Sequence, residues 1–192
     1  MPDDIGTFHR WARLYDLFML PPDPDELAAA LGTTDRPVER VLDVGGGPGR
    51  AVETVEASTR IVVDPAGGMV ARARTHGLAG VQADGARLPF GDDTVDAILV
   101  SDALHHIRDQ TRLLAEAARV LGPGGVLVVR DFDPSTLRGR LLVAGEHLFG
   151  FESVFHTPET LASMLADAGL DPSVTTSGFA YTVVARAAAA EG

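Results

Sequence analysis

A chain of 192 residues, 45% hydrophobic and 22% charged, can bury one substantial core, and it has no apolar run of about 18 residues that would suit a transmembrane helix. Its formal net charge of −11, with all 16 basic residues arginine, disfavours nucleic acid and anionic membrane surfaces as partners and fits either a high-salt cytoplasm or a GC-rich genome. Zero cysteines exclude disulfides, thiol catalysis and thiolate metal sites, and Asp3 and Asp4 stand where a leader would be basic and apolar, so a cytoplasmic location is expected.

In residues 7–20, Phe8, Trp11, Tyr15 and Phe18 recur at helical spacing, which predicts a helix packed on the body or lying as a lid over an acceptor site. Pro21, Pro22 and Pro24 stop it, and Asp25 to Leu31 predicts a second short helix ended by Gly32. Val41, Leu42 and Val44 then form an apolar run with Asp43 inside it, which breaks into Gly45, Gly47 and Gly49 before a helix from Ala51 to Val55. That is the pattern of a buried parallel strand, a tight turn and a helix packed back on the sheet. The dinucleotide fingerprint G-x-G-x-x-G fails here, because Arg50 stands where its third glycine belongs.

Arg60 to Asp64 reads as the second strand, and Asp64 lies 19 residues beyond Gly45, where a strand-end carboxylate can accept both hydroxyls of a ribose or cap the next helix. A helix over 65–75 carries Met69 near its start. Leu78 to Ala83 is the third strand, followed by Asp84-Gly85-Ala86-Arg87-Leu88-Pro89-Phe90. Thr94 to Val100 is the fourth strand, with Ser101 at its end and then Leu104-His105-His106-Ile107-Arg108-Asp109. An amphipathic helix to about Leu121, a turn at Gly122-Pro123-Gly124-Gly125 and a fifth strand over 126–130 follow.

Residues 135–156 have the least pattern. Thr157-Pro158-Glu159-Thr160 opens a helix that ends near Gly169, and 171–176 with 179–185 predict a closing hairpin. Strands alternating with helices over the first 130 residues predict an α/β fold with a doubly wound, mostly parallel sheet and an antiparallel C-terminal edge, in a single domain over 1–192. His105 and His106 are adjacent and no ligand pair recurs at helical spacing, so no metal is expected.

The run Asp43-x-Gly45-x-Gly47-x-Gly49 resembles motif I of the class I S-adenosylmethionine-dependent methyltransferases. Arg13-Leu14-Tyr15-Asp16, the segment from Asp84 to Phe90, the junction Arg119-Val120-Leu121-Gly122-Pro123-Gly124-Gly125 and the phrase ending Ala168-Gly169-Leu170 resemble ubiquinone/menaquinone biosynthesis methyltransferases (methyltransferase type 11) in the same order. The resemblance implies a Rossmann-like seven-stranded sheet, S-adenosylmethionine as cofactor and a small, hydrophobic, quinone-type molecule as acceptor. It implies cofactor-binding roles for Tyr15, Asp43, Gly45, Gly47, Gly49, Asp64, Met69, Asp84, Gly85, Ala86 and Ser101, an N-terminal helical lid over 1–34 and an acceptor-covering insertion over 135–156. Leu104 to Asp109 is similar to a segment of small-molecule O-methyltransferases in which a histidine is the general base, which makes His105, or its neighbour His106, the candidate catalytic residue; packing or capping after the strand is the other reading. An NAD-binding Rossmann oxidoreductase and a cofactor-binding regulator without catalysis are the alternative functions.

Overall fold

The protein is described by a computed structural model that covers residues 23–34 and 36–189. Tyr15, the aromatic segment 7–20 and most of the expected lid lie outside these residues. Seven strands form one sheet: β1 Arg40–Val44, β2 Thr59–Asp64, β3 Ala79–Gln82, β4 Val95–Ser101, β5 Leu121–Phe132, β6 Asp171–Thr176 and β7 Ala180–Arg186. Their order across the sheet is β3-β2-β1-β4-β5-β7-β6. The pairs from β3 to β5 are parallel, and β7 lies antiparallel between β5 and β6. The expected mostly parallel, seven-stranded α/β sheet with an antiparallel C-terminal hairpin is therefore present.

The helices are α1 Pro24–Leu31, α2 Arg50–Glu53, α3 Gly67–Thr75, α4 Gln110–Val120, α5 Leu137–Leu148 and α6 Pro158–Asp167. They cover both faces of the sheet, which explains the continuous apolar runs in its central strands. In β5, Leu127 and Val129 join a cluster with Leu113, Leu114 and Ala117 of α4 and Leu161 and Leu165 of α6. The alternate residues Val126 and Val128 join the opposite cluster with Leu27 and Leu31 of α1, Val52 of α2 and Ala73 of α3. The described part of the 1–34 segment, α1, is thus a core element. Glu26 on it also accepts hydrogen bonds from Thr176 and Thr182 of the hairpin.

Two expectations need correction, and the unpatterned 135–156 segment holds a helix. The helix after the glycine turn is one turn long, Arg50–Glu53, because Thr54 caps it and its hydroxyl bonds the Ala51 carbonyl. The glycine run at 122–125 does not separate helix from strand. It falls within β5, where the register jumps from Val95↔Leu121 to Ala97↔Val126 and Gly124 takes φ +72°. Residues 137–148 form α5, capped by the Thr136 hydroxyl on the Gly139 N–H at 3.0 Å. The pattern of α5 was hard to read because its large apolar residues face outward: Leu137, Leu141 and Leu148 are 77%, 68% and 83% exposed. No helix among the described residues is long and apolar enough to cross a membrane.

Candidate active site

After β1 the chain builds β2 and β3 on one side, then crosses back to add β4 on the other. In a doubly wound sheet that reversal opens a crevice at the carboxyl ends of the two central strands. Asp43, the glycine turn, Ser101, His105 and His106 all fall there.

Asp43 is fully buried, and neither of its carboxyl oxygens has a hydrogen-bond partner at bonding geometry among the described residues. Burial pushes its carboxyl up to about 7, against the pull of the Val52 N–H and with help from the nearby Asp64 charge. The chain folds over this carboxyl at Gly46, where a Cβ would stand 2.3 Å from Asp43 Cγ. Gly45, Gly47 and Gly49 all have positive φ (72°, 54° and 91°). A Cβ on Gly49 would collide with Leu78 at 2.2 Å, whereas one on Gly47 would meet nothing within 4 Å. Gly49 therefore serves packing, and Gly47 presents bare backbone to open space. A Cβ on Gly45 would lie 2.7 Å from Ala103 Cβ, so the turn sits directly against the segment that leaves β4.

Asp64 takes the capping role read from its position and also holds the glycine turn. One oxygen accepts the Ala66 N–H at 2.8 Å, capping the approach to α3, and the other accepts the Gly47 N–H at 3.0 Å, tying the glycine turn down. Burial raises its carboxyl and those two N–H groups draw it back. Each oxygen keeps a second lone pair for a ligand hydroxyl. Met69 is 7% exposed in the first turn of α3. Asp84 is exposed, accepts the Ala86 N–H at 2.9 Å and so fixes the short turn that presents the backbone of Gly85 and Ala86. Gly85 also admits Leu113 and Val44, whose side chains a Cβ would meet at 2.8 and 2.9 Å. Ser101 closes β4, its hydroxyl oxygen buried with no hydrogen-bond partner among the described residues.

The histidines form a second cluster. Leu104–His106 is a single 3₁₀ turn leading out of β4. The His105 side chain is completely buried, stacked on Phe155 at 4.3 Å between ring centroids, with Phe132 edge-on at 6.0 Å. Its Nδ1 lies 2.6 Å from Asp131 Oδ1, and its Nε2 is 3.7 Å from Glu146 Oε1. Burial alone would lower the His105 pKa; the Asp131 and Glu146 carboxylates outweigh it and leave it raised. His106 is pushed down to about 3 by burial and by its neighbour His105, and Ser153 Oγ lies 3.1 Å from its Nδ1.

Sequence reasoning assigned no role to the residues that hold this cluster. Asp131 stands at the carboxyl end of β5, a place the strand-end rule flags once β5 is known to reach Phe132. Gln110 donates to the carbonyls of Leu104 and Val154 at 3.1 and 2.8 Å, stapling the 151–156 segment to the 3₁₀ turn. Val154 N–H adds a bond to the His105 carbonyl at 2.9 Å. Asp102, at φ 53°, pairs with Arg130, and burial raises its carboxyl to about 6 despite that arginine.

Residues 42–129 match the methyltransferase domain family. Demethylmenaquinone methyltransferase from Mycobacterium sp. strain KMS is 38% identical over 127 residues, which is 64% of this chain and 54% of that protein. The chain thus spans about half the length of such relatives. Among solved structures, the methyltransferase in a complex with the Haloferax volcanii Trm112 activator superposes with a TM-score of 0.78 at 18% identity, covering 97% of this chain and 98% of that one. A Thermotoga maritima S-adenosylmethionine-dependent methyltransferase, described as a possible histamine N-methyltransferase, gives 0.76 at 21% identity, covering 94% and 98%. At these identities the structural likeness establishes the fold.

Proposed function

We infer that this chain is an S-adenosylmethionine-dependent methyltransferase, a reading supported by the match of residues 42–129 to the methyltransferase domain family, and that it methylates a small hydrophobic acceptor bearing a quinone-type or phenolic ring. The observation that carries the cofactor assignment is Asp43: a buried, orphaned carboxylate under a glycine turn, beside the strand-end carboxylate of Asp64. An ammonium is the partner that Asp43 lacks, and a ribose diol suits the remaining lone pairs of Asp64; S-adenosylmethionine carries both groups. Gly45, Gly47 and Gly49 let the backbone approach it, and Met69, Asp84, Gly85, Ala86 and Ser101 line the remainder of its place. Tyr15 is proposed from the sequence resemblance alone.

When bound, the cofactor would supply a methyl group on a sulfonium for in-line transfer to the acceptor. The protein's part is to hold the acceptor in that line and exclude water, which can supply much of the catalysis. His105 and His106 are the proposed catalytic pair, one imidazole nitrogen accepting the proton that the acceptor loses. Phe132, Phe151 and Phe155 pack around these rings and favour a flat, apolar acceptor. The segment 135–156, with α5 at its centre, is the proposed acceptor cover.

The test is transfer of labelled methyl from S-adenosylmethionine to reduced demethylmenaquinone analogues and, in parallel, to histamine. Labelling of the quinol ring is expected. Labelling of histamine alone would contradict the hydrophobic acceptor.

A further inference from the structure

We propose that His105, His106 and Glu146 bind one divalent transition-metal ion, zinc being the type. The three residues each bring one ligand atom to within 4.8 Å of the others. Tetrahedral zinc with bonds of about 2.0–2.2 Å sets its ligand atoms about 3.3–3.6 Å apart. His105 Nε2 and Glu146 Oε1, 3.7 Å apart, are close to that spacing, and the third ligand atom lies within 4.8 Å, so a side-chain shift of about 1 Å would bring all three to it.

The second observation is Glu146 itself. It is 6% exposed, and neither of its oxygens meets a hydrogen-bond donor among the described residues. The separation from His105 is too long for a hydrogen bond. His105, whose pKa Asp131 and Glu146 raise, is a charge partner for this carboxylate at 3.7 Å but gives it no hydrogen bond, and a metal ion among Glu146 and the two rings would fill the positions its oxygens leave open. The outer partners also have the required form. Asp131 Oδ1 accepts the Nδ1–H hydrogen bond of His105 and so aims Nε2 at Glu146, the carboxylate–histidine–metal arrangement in which the ion replaces any proton on Nε2. Ser153 Oγ at His106 Nδ1 orients the second ring. Phe155 stacks on His105, and Phe151 lies 5.8 Å from His106, giving the apolar shell such a site needs.

Two histidines and one glutamate match a catalytic rather than a structural zinc set, because three protein ligands would leave a fourth coordination position for another ligand. An acceptor oxygen bound there would lose its proton to solvent more easily. That step rests on the methyltransferase reading, whereas the binding of the ion does not. Because Glu146 belongs to α5 while both histidines leave β4, the ion would also pin α5 to the sheet.

The test is titration of chelator-treated protein with cobalt(II), read as visible ligand-field absorption, with zinc displacement of the bound ion. S-adenosylhomocysteine calorimetry is run on the same samples. One equivalent of cobalt is expected in the wild type. Glu146→Gln, which keeps the shape, should bind at least tenfold more weakly, and Asp131→Asn about 10–100-fold more weakly. Glu56→Gln, at an exposed site outside this cluster, should leave cobalt affinity unchanged. Absence of a cobalt band in protein that binds S-adenosylhomocysteine would overturn the metal site and leave the methyltransferase reading standing; so would equal cobalt affinity in Glu146→Gln. A band without S-adenosylhomocysteine binding would keep the metal site and sink that reading.

Discussion

His105 donates its Nδ1–H to Asp131 Oδ1 across 2.6 Å in the interior of the protein, joining the turn after β4 to the end of β5. The direction is fixed by what else Asp131 does: its oxygens also accept the backbone N–H groups of His105 at 3.2 Å and Phe132 at 2.9 Å, so the carboxyl acts throughout as an acceptor. One buried side chain thus orients a ring, secures the 3₁₀ turn and ends a strand.

Asp131→Ala removes all three bonds and leaves their donors buried. Loss of one partner from a buried pair costs about 3–5 kcal/mol, and chemical denaturation should show a loss of that size. A change below about 1 kcal/mol would mean that the pairing contributes little to the fold.

Two glycines of the turn should respond differently to alanine. Gly49→Ala drives a Cβ into Leu78 and should destabilise the fold well beyond the roughly 1–2 kcal/mol of left-handed strain. Gly47→Ala meets nothing, so it should show only that strain while S-adenosylhomocysteine affinity falls. Calorimetry beside thermal denaturation separates the two. Unchanged affinity in Gly47→Ala would remove this turn from the cofactor site.

How far the sequence could be read follows the kind of signal each residue gives. The buried strands were legible because apolar runs buried on both faces read the same in any context, and the glycine turn because positive φ restricts residue choice. The helix α5 was not, because Leu137 and Leu141 turn outward and the helix signal expects them inward. Nor were Asp131 and Glu146 placed, since their meaning lies in contacts 26 and 41 positions away from His105, which no local spacing encodes.

Stability of the ligand-free protein should fall as pH rises from about 4 to about 7. Asp43 has a folded pKa near 7 against an ordinary 3.8, so in that window the native state holds a proton that the unfolded chain releases, and rising pH favours unfolding. The displacement corresponds to roughly 4 kcal/mol at most. Asp43→Asn should flatten the slope relative to the wild type when both are unfolded in urea across this range. Parallel slopes would show that Asp43 does not titrate there.

The most direct test of the account is calorimetric titration of the purified chain with S-adenosylhomocysteine and, separately, with NAD, repeated on Asp64→Ala. The wild type should bind S-adenosylhomocysteine at one site and give no heat with NAD. Asp64→Ala should bind it about 5–150-fold more weakly, the equivalent of about 1–3 kcal/mol for lost hydrogen bonds to a carboxylate. Binding of NAD in place of S-adenosylhomocysteine, or an unchanged affinity in Asp64→Ala, would contradict it.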